Sequence, residues 1–458
     1  MNALIEDIME LNLSWGELAR ACGGTLVRGS AEDRVASISI DTRRLEPGQV
    51  FWAVKGARTD GHEHIDSAGQ AAGWVIERDR VRISAAPAHL VEVPDTLKAL
   101  QALAAFHRRR FEIPVAAIAG SNGKTSTKEM LRSICSQAGP VCATPGNLNN
   151  QFGLPLSVLE MESAHRYAAF EMGESHPGDI DELTRIVQPT VGVLTNVEPA
   201  HLEFFGSLEG VFQCLTELIK ASPAATRIAV NLDDTWLAGL EGSLGARAIT
   251  YGVHERSAVR LMPSGPGTVE LVINRHRVTA ELTSPGNVHR RNACAAAAGA
   301  VGMGLGPEAI VKGIEAFKPA PMRFEPKKHS SGAWLVLDAY NANPGSMRAG
   351  IQSFCEAYPA ARRILALGDM KELGPDSPRL HRELGEWIAS QGVTAVFLAG
   401  KAMAEAAKAI QKSSRIEVYH AEEYAKWLPS LREMLGSDAA AYFKASRAMQ
   451  FEGLIGAL

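Results

Sequence analysis

The residues best placed to do chemistry lie in Ala117-Ile118-Ala119-Gly120-Ser121-Asn122-Gly123-Lys124-Thr125-Ser126-Thr127. An apolar run, Ile113 to Ala119, predicts a strand; a glycine turn follows, then a helix. Such a turn aims backbone N–H groups at one spot beside the positive end of a helix dipole. The segment Gly120, Ser121, Asn122, Gly123, Lys124, Thr125 and Ser126 is therefore the candidate cradle for phosphate. Lys124 brings a mobile point charge, and the Thr125 hydroxyl is placed to ligate Mg²⁺. The spacing is a short G-x-x-G-K-T, with Ile118 where the longer form has a glycine. The plainer alternative is a glycine-rich turn packed for structural reasons. Strand, turn, lysine, hydroxyl and helix in this order favour binding and hydrolysis of a nucleoside triphosphate.

Further polar groups fall just after other apolar runs. Glu171 follows a strand-like run, and His201 closes Asn196-Val197-Glu198-Pro199-Ala200-His201. A carboxylate and an imidazole near a triphosphate loop suit a Mg²⁺ held between nucleotide and a second substrate. Taken singly, each is more often a surface acid or a hydrogen-bonded histidine. Arg323 stands beyond Lys318-Pro319-Ala320-Pro321, where its guanidinium could steady charge on a transferring phosphoryl group or make an interdomain ion pair. Asp338 and Tyr340 are candidates for meeting nucleotide or metal. Asn341 and Asn343 suit a zwitterionic or amide substrate, although Asn343-Pro344-Gly345 is also a turn signal.

The elements that must position these groups alternate. Strands are expected at Val35 to Ile40, Val50 to Val54 and Trp74 to Ile76, and a helix over Thr96 to Arg110 with Leu97, Leu100, Leu103 and Phe106 on one side. From 113 to about 318, strands at Ala168 to Phe170, Val191 to Thr195 and Arg227 to Val230 alternate with helices, predicting a parallel sheet covered on both faces. Val259 to Leu282 reads as an antiparallel hairpin turning at Ser264-Gly265-Pro266-Gly267. Beyond the two prolines come strands at Trp334 to Leu337, Arg363 to Leu367, Ala395 to Leu398 and Ala441 to Phe443. Boundaries therefore fall near 110 and 318, giving segments 1–110, 111–318 and 319–458. In open parallel sheets ligands bind at the carboxyl edge, where these polar groups collect.

Composition narrows the class. The chain has 458 residues, 46% hydrophobic and 21% charged, with a net charge of −4. That balance excludes extensive disorder and offers no basic surface for nucleic acid or anionic membrane. Arg108-Arg109-Arg110 reads as a solvated helix end. Six cysteines stand singly, without a C-x-x-C pair, which fits a reducing, cytoplasmic setting. Met1 to Leu13, with Glu6, Asp7 and Glu10, lacks the features of a signal peptide. No apolar run is long enough to span a bilayer, and Ala293 to Ala300 predicts a close-packed helix. The expected organisation is a monomer.

The order of these pieces resembles the Mur ligases of peptidoglycan synthesis across nearly the whole chain. Asp41-Thr42-Arg43, Pro47-Gly48, Phe51 to Gly56 and Asp60-Gly61-His62 resemble that family's UDP-sugar domain. Gly120 to Thr125 resembles its ATP loop, Gly146 to Leu156 its next signature, and Asn292 the asparagine that reads adenine. Asp338 to Asn343, Leu367 to Gly374 and Lys444 to Arg447 resemble its last domain. The resemblance implies an α/β protein of three domains: a small N-terminal α/β domain, a central parallel-sheet ATPase domain and a Rossmann-like C-terminal domain. It implies ATP and Mg²⁺, with Thr125, Glu171 and His201 on the metal and Lys124, His201 and Arg323 in catalysis. Asp41, Thr42, Arg43, Lys55, Asn149, Asn150, Asn341, Asn343, Lys444, Ser446 and Arg447 would meet substrate. Tyr340-Asn341-Ala342-Asn343 and Leu367-Gly368-Asp369-Met370 favour the branch that adds D-alanyl-D-alanine to a UDP-muramoyl-tripeptide through an acyl phosphate.

Some positions depart from the family pattern. Leu215 stands where the family carries a lysine, carbamylated to bridge two Mg²⁺, and Lys220 lies on another helical face. Val288-His289 replaces a His-Asn pair, Met322 a glycine before Arg323, and Ala445 a glycine before Ser446. Leu215 keeps open a nucleotide binder with reduced or lost ligase chemistry, and a relative adding a different amino acid stays open as well. Lys124→Ala is expected to nearly abolish turnover and leave the fold intact.

Overall fold

Alternation of short apolar runs with amphipathic helices produces the architecture. The protein, seen in a computed structural model, is described over residues 11–56, 59–80 and 87–458. The expectations resting on Glu6, Asp7 and Glu10 lie outside the described residues. The chain divides into two units. One comprises the residues up to Val115 with Pro140–Met172 and Glu182–Gln188; the other holds Ala116–Gly139, Gly173–Asp181 and Pro189–Leu458.

The first unit contains a five-stranded sheet in the order Thr25–Arg28, His89–Val93, Gly73–Glu77, Val50–Trp52, Ile38–Ser39. Its first pair is antiparallel and the rest are parallel. Val35 to Ile40, expected as one strand, is broken into Arg34–Val35 and Ile38–Ser39. Buried Trp52 donates its indole N–H to Thr96 O at 2.7 Å, tying the sheet to the helix Thr96–Arg108. That helix packs on Gly153–Leu159, so segments far beyond residue 110 belong to this unit. Arg108 is buried, contrary to the solvated helix end expected: its guanidinium donates to Val187 O, Phe111 O and Gln188 O. Five fixed N–H donors let an arginine satisfy several carbonyls that would otherwise be orphaned.

In the second unit, strands run side by side in the order His276–Glu281, Thr268–Ile273, Val259–Met262, Ala248–Gly252, Arg227–Asn231, Val191–Leu194, Val115–Ala119. Pairing is parallel from Val115–Ala119 to Val259–Met262 and antiparallel beyond. The expected hairpin therefore extends the sheet. Strand Val115–Ala119 is wholly buried, as a parallel strand covered on both faces must be. Ala293 to Ala300 is buried in the helix Asn287–Gly302, which packs on the loop helix Lys124–Cys135. Small side chains allow that close approach: a Cβ on Gly299 would lie 3.3 Å from Leu131 Cδ2.

A second sheet in this unit has the order Glu325–Lys328, Trp334–Leu337, Ala439–Lys444, Arg362–Gly368, Ala395–Ala399, Glu417–Ala421. All pairs are parallel except the first. Apolar clusters on its two faces centre on Phe354 and Tyr442, and on Phe397 and Phe443.

Candidate functional site

The loop after Val115–Ala119 is held from behind by the end of the neighbouring strand. Ser121 N–H donates to Asn196 O at 3.0 Å, and Asn122 N–H to Asn196 Oδ1 at 2.9 Å. Thr195 Oγ1 donates to Asn122 O at 2.7 Å, and Ser121 Oγ exchanges hydrogen bonds with the backbone of Glu198. The N–H groups of Ser121 and Asn122 thus brace the loop and are not free to face a phosphate, which corrects the cradle expected from sequence. The remaining cradle is the helix start. Thr127 N–H is the first to reach a carbonyl of the turn, Gly123 O at 2.9 Å, which leaves those of Lys124, Thr125 and Ser126 without a helical partner.

Both glycines are required. Gly120 has φ +138°, and a Cβ there would lie 2.0 Å from Thr195 Oγ1. Gly123 has φ +81°, and a Cβ would lie 2.4 Å from Asn292 Oδ1. Asn292, on the helix Asn287–Gly302, is therefore seated directly against the loop.

Lys124 points back across the turn. Its ammonium donates to Gly120 O and to both oxygens of Glu174, at 3.0 and 3.2 Å. Glu174 is buried and was not singled out from sequence; its position just past the carboxyl end of a strand was the available signal. Arg323 Nη2 donates to Thr125 Oγ1 at 3.1 Å while its guanidinium lies 3.8 Å from the centre of the Tyr340 ring. The expected metal hydroxyl, the expected phosphoryl clamp and Tyr340 are brought together. Arg323 is flanked by Met322 at φ +60° and Phe324 at φ +53°. Met322 thus occupies a left-handed conformation that a glycine adopts without strain.

His201 is itself left-handed, at φ +52°, and its Nδ1 lies 2.7 Å from Glu372 Oε2. The imidazole beside it holds the Glu372 carboxyl below its ordinary range. This contact leaves Nε2 as the nitrogen for another partner, an arrangement common where a carboxylate orients a metal-ligating histidine. Glu372 too escaped the sequence reading, although it lies in the Leu367 to Gly374 motif. In the other unit, buried Glu171 accepts from Asn149 Nδ2 at 2.7 Å through Oε1, while Oε2 is buried with no hydrogen-bond partner. An orphaned buried carboxylate oxygen is chemically suited to a cation. Among the described residues no three His, Cys, Asp or Glu side chains form a ready cation cluster. Asn150 accepts from Gly153 N–H at 2.9 Å, at the start of the helix Gly153–Leu159.

Several groups expected at substrate face inward instead. Lys444 is buried and donates to Asp338 Oδ2 at 2.8 Å, Asp338 O at 3.2 Å and Asn341 O at 3.0 Å. Asp338 also accepts from Tyr442 O–H at 2.6 Å and Phe324 N–H at 3.2 Å, so its carboxylate is committed to the protein. Burial pulls Lys444 below the ordinary lysine range and Asp338 pulls it back. Ser446 accepts from Lys371 N–H at 2.9 Å and donates to Ala342 O at 3.3 Å. Asn343 caps the helix Pro344–Ala357 and donates to Asn122 Oδ1 at 2.8 Å, joining that helix to the nucleotide loop. Asn341 and Arg447 are exposed; Arg447 pairs with Glu452 at 2.9 Å. In the first unit Asp41 caps Thr42–Arg44 and pairs with Arg43, whose side chain is 86% exposed, and Lys55 is exposed as well. His62 is structural: Glu77 N–H donates to its Nε2 at 3.0 Å, so Nδ1 donates to Asp60 Oδ1 at 2.7 Å.

Leu215 is fully buried, and Lys220 is exposed on the next helix, Glu217–Ala221. His289 is buried between Phe317 and Phe324, and burial lowers its pKa to about 4.

A parallel sheet that delivers a glycine turn, a lysine and a hydroxyl to a helix start defines an α/β nucleotide-loop protein. Profiles of the Mur ligase family, catalytic domain, the Mur ligase middle domain and the Mur ligase, glutamate ligase domain match residues 34–108, 118–300 and 322–447. The chain is 34% identical over 444 residues to the UDP-N-acetylmuramoyl-tripeptide–D-alanyl-D-alanine ligase of Bacillus subtilis, covering 96% of each chain. Its fold is similar to a crystal structure of MurF from Acinetobacter baumannii, with a TM-score of 0.88 and 29% identity over 97% of this chain and 98% of that one. It is similar also to MurF ligase from Thermotoga maritima in complex with ADP, with a TM-score of 0.81 and 28% identity over 92% and 96%. The chain belongs to the Mur ligase family.

Proposed function

We propose that this protein is an ATP-dependent ligase that joins D-alanyl-D-alanine to UDP-N-acetylmuramoyl-tripeptide in peptidoglycan precursor synthesis. The observation that supports this most is the extent of the likeness: it covers 96% of both this chain and the Bacillus subtilis ligase, not the nucleotide loop alone.

In this reading the γ-phosphoryl group passes to the tripeptide carboxylate and ADP leaves. The dipeptide amine then attacks the acyl phosphate, loses a proton and expels phosphate. A free carboxylate is a poor electrophile, so the phosphate supplies the leaving group. Lys124 and the helix-start N–H groups take the phosphate charge, Arg323 steadies the transferring group, and Asn292 reads the base. Thr125, Glu171 and His201 would hold Mg²⁺, which neutralises charge between nucleotide and acceptor. Residues 1–110 take the UDP-sugar through Asp41, Thr42, Arg43 and Lys55, with Asn149 and Asn150 further along the chain. Residues 111–318 take ATP, and 319–458 the dipeptide, with Asn341 and Arg447 as its exposed contacts. Asn343, Lys444, Ser446 and Asp338 shape that region from behind. We assign a monomer in the cytoplasm, where the six free cysteines stay reduced. Among the described residues no helix is long and apolar enough to cross a membrane.

Buried Leu215 motivates a second reading, a nucleotide binder without ligase chemistry. A ligation assay with UDP-N-acetylmuramoyl-tripeptide, ATP and a panel of amines, read by mass, separates the two. The ligase gives one amide product, with D-alanyl-D-alanine, and phosphate release that needs both co-substrates. No product with any amine contradicts it.

A further inference from the structure

We propose that Glu174 competes with nucleotide phosphate for Lys124, so that the loop takes up nucleotide well only with a divalent cation. The inference rests on the reading of the loop as a nucleotide site. Glu174 is buried, its side chain 1% exposed, and both of its oxygens accept from Lys124 Nζ, at 3.0 and 3.2 Å. Among the described residues Lys124 is the one cation within ion-pair distance of it. The surroundings offer no substitute: burial lifts the nearby Cys214 thiol, and the carboxylates of Glu217, Glu174 and Asp179 lift it further. Glu217 is already engaged by Gly178 N–H at 2.9 Å and Asp181 N–H at 3.0 Å.

An arriving polyphosphate therefore meets a lysine whose charge is already matched. If Lys124 turns to the phosphate, a buried carboxylate loses its cation. If it stays, phosphate faces a carboxylate across a shared ammonium. Either course weakens binding of the bare nucleotide, because an uncompensated buried charge is costly. A divalent cation arriving with the nucleotide adds the missing positive charge. Glu174 thereby acts as a positioning residue that parks Lys124 and makes nucleotide uptake conditional on the metal.

The test is ADP binding to the full chain by titration calorimetry, in EDTA and in Mg²⁺, for wild type, Glu174→Gln and Glu174→Asp. Glu174→Gln should bind ADP about tenfold more tightly than wild type in EDTA, with the gap closing to about threefold in Mg²⁺. Glu174→Asp, which keeps the charge, should follow wild type. Glu174→Ala, checked for folding by circular dichroism, serves as the neutral variant if the glutamine form does not fold. Equal affinity of wild type and the neutral variant in EDTA, or weaker binding by the neutral variant, overturns the inference and leaves the nucleotide site standing. Failure of wild type to bind ADP even with Mg²⁺ overturns both.

Discussion

Two lysines in this protein each hold a carboxylate, Glu174 buried and Asp338 partly buried, and their settings differ. Lys444 is 4% exposed and closes a network of Asp338, Tyr442, Asn341 and the Phe324 backbone. Lys124 is 14% exposed at a glycine turn and holds Glu174 and a single carbonyl. The first pair joins the ends of two neighbouring strands, Trp334–Leu337 and Ala439–Lys444. The second is closed by one side chain able to swing toward the free N–H groups of the helix start. The same residue types make a fastening in one place and an exchangeable contact in the other. Second partners and solvent access account for the difference.

The sharpest way to break this comparison is to remove each lysine. Lys124→Ala should lower kcat/KM by about 10³-fold or more, since it removes a charge aimed at the transferring phosphate. It should also lower stability by about 3 kcal/mol, because Glu174 is left buried without a cation. The structure thus revises the sequence-based expectation that this variant leaves the fold untouched. Adding Glu174→Gln to it should restore the stability and not the turnover, read by urea denaturation beside the ligation assay.

Lys444→Met should lower stability by about 3 kcal/mol in the same denaturation experiment. ADP affinity should change by less than about threefold. A large loss of affinity with little loss of stability would erase the distinction between the two lysines.

A smaller effect fixes the conditions for that comparison. Burial lowers both His107 and His289 from 6.5 to about 4, so each is neutral when folded near neutral pH. The unfolded chain takes up protons first. The stability this provides is complete above about 6.5 and falls as pH drops toward 4. Each should cost about 2 kcal/mol by pH 5, measured as the change in unfolding free energy between pH 7 and 5. A flat profile across that window would contradict the burial of both rings.

The nucleotide loop was legible because its chemistry is local: strand, glycines, lysine and hydroxyl are contiguous, and each has a conformational reason to stand there. The parallel strands from Val115 onward were legible as short apolar runs, although Ala248–Gly252 and Glu417–Ala421 escaped notice because they carry mixed polarity. Which way a polar side chain faces was not legible. Lys444, Ser446 and Asn343 follow strands as ligand-binding groups do, but they turn inward onto carbonyls and carboxylates that only the fold brings near. Glu174 and Glu372 went unnoticed for the converse reason. Their partners, Lys124 and His201, are remote in sequence. Arg108 looked like one of three solvated charges because two of the carbonyls it satisfies, those of Val187 and Gln188, belong to a distant segment.

The central claim is that phosphate is held at the helix start and draws Lys124 away from Glu174. A crystal structure of the full chain with ADP and Mg²⁺ tests it most directly. The account predicts the β-phosphate over the N–H groups of Lys124 to Ser126, with Lys124 Nζ turned onto a phosphate oxygen. Nucleotide bound elsewhere, or Lys124 still bridging both oxygens of Glu174 with phosphate beside it, would contradict it.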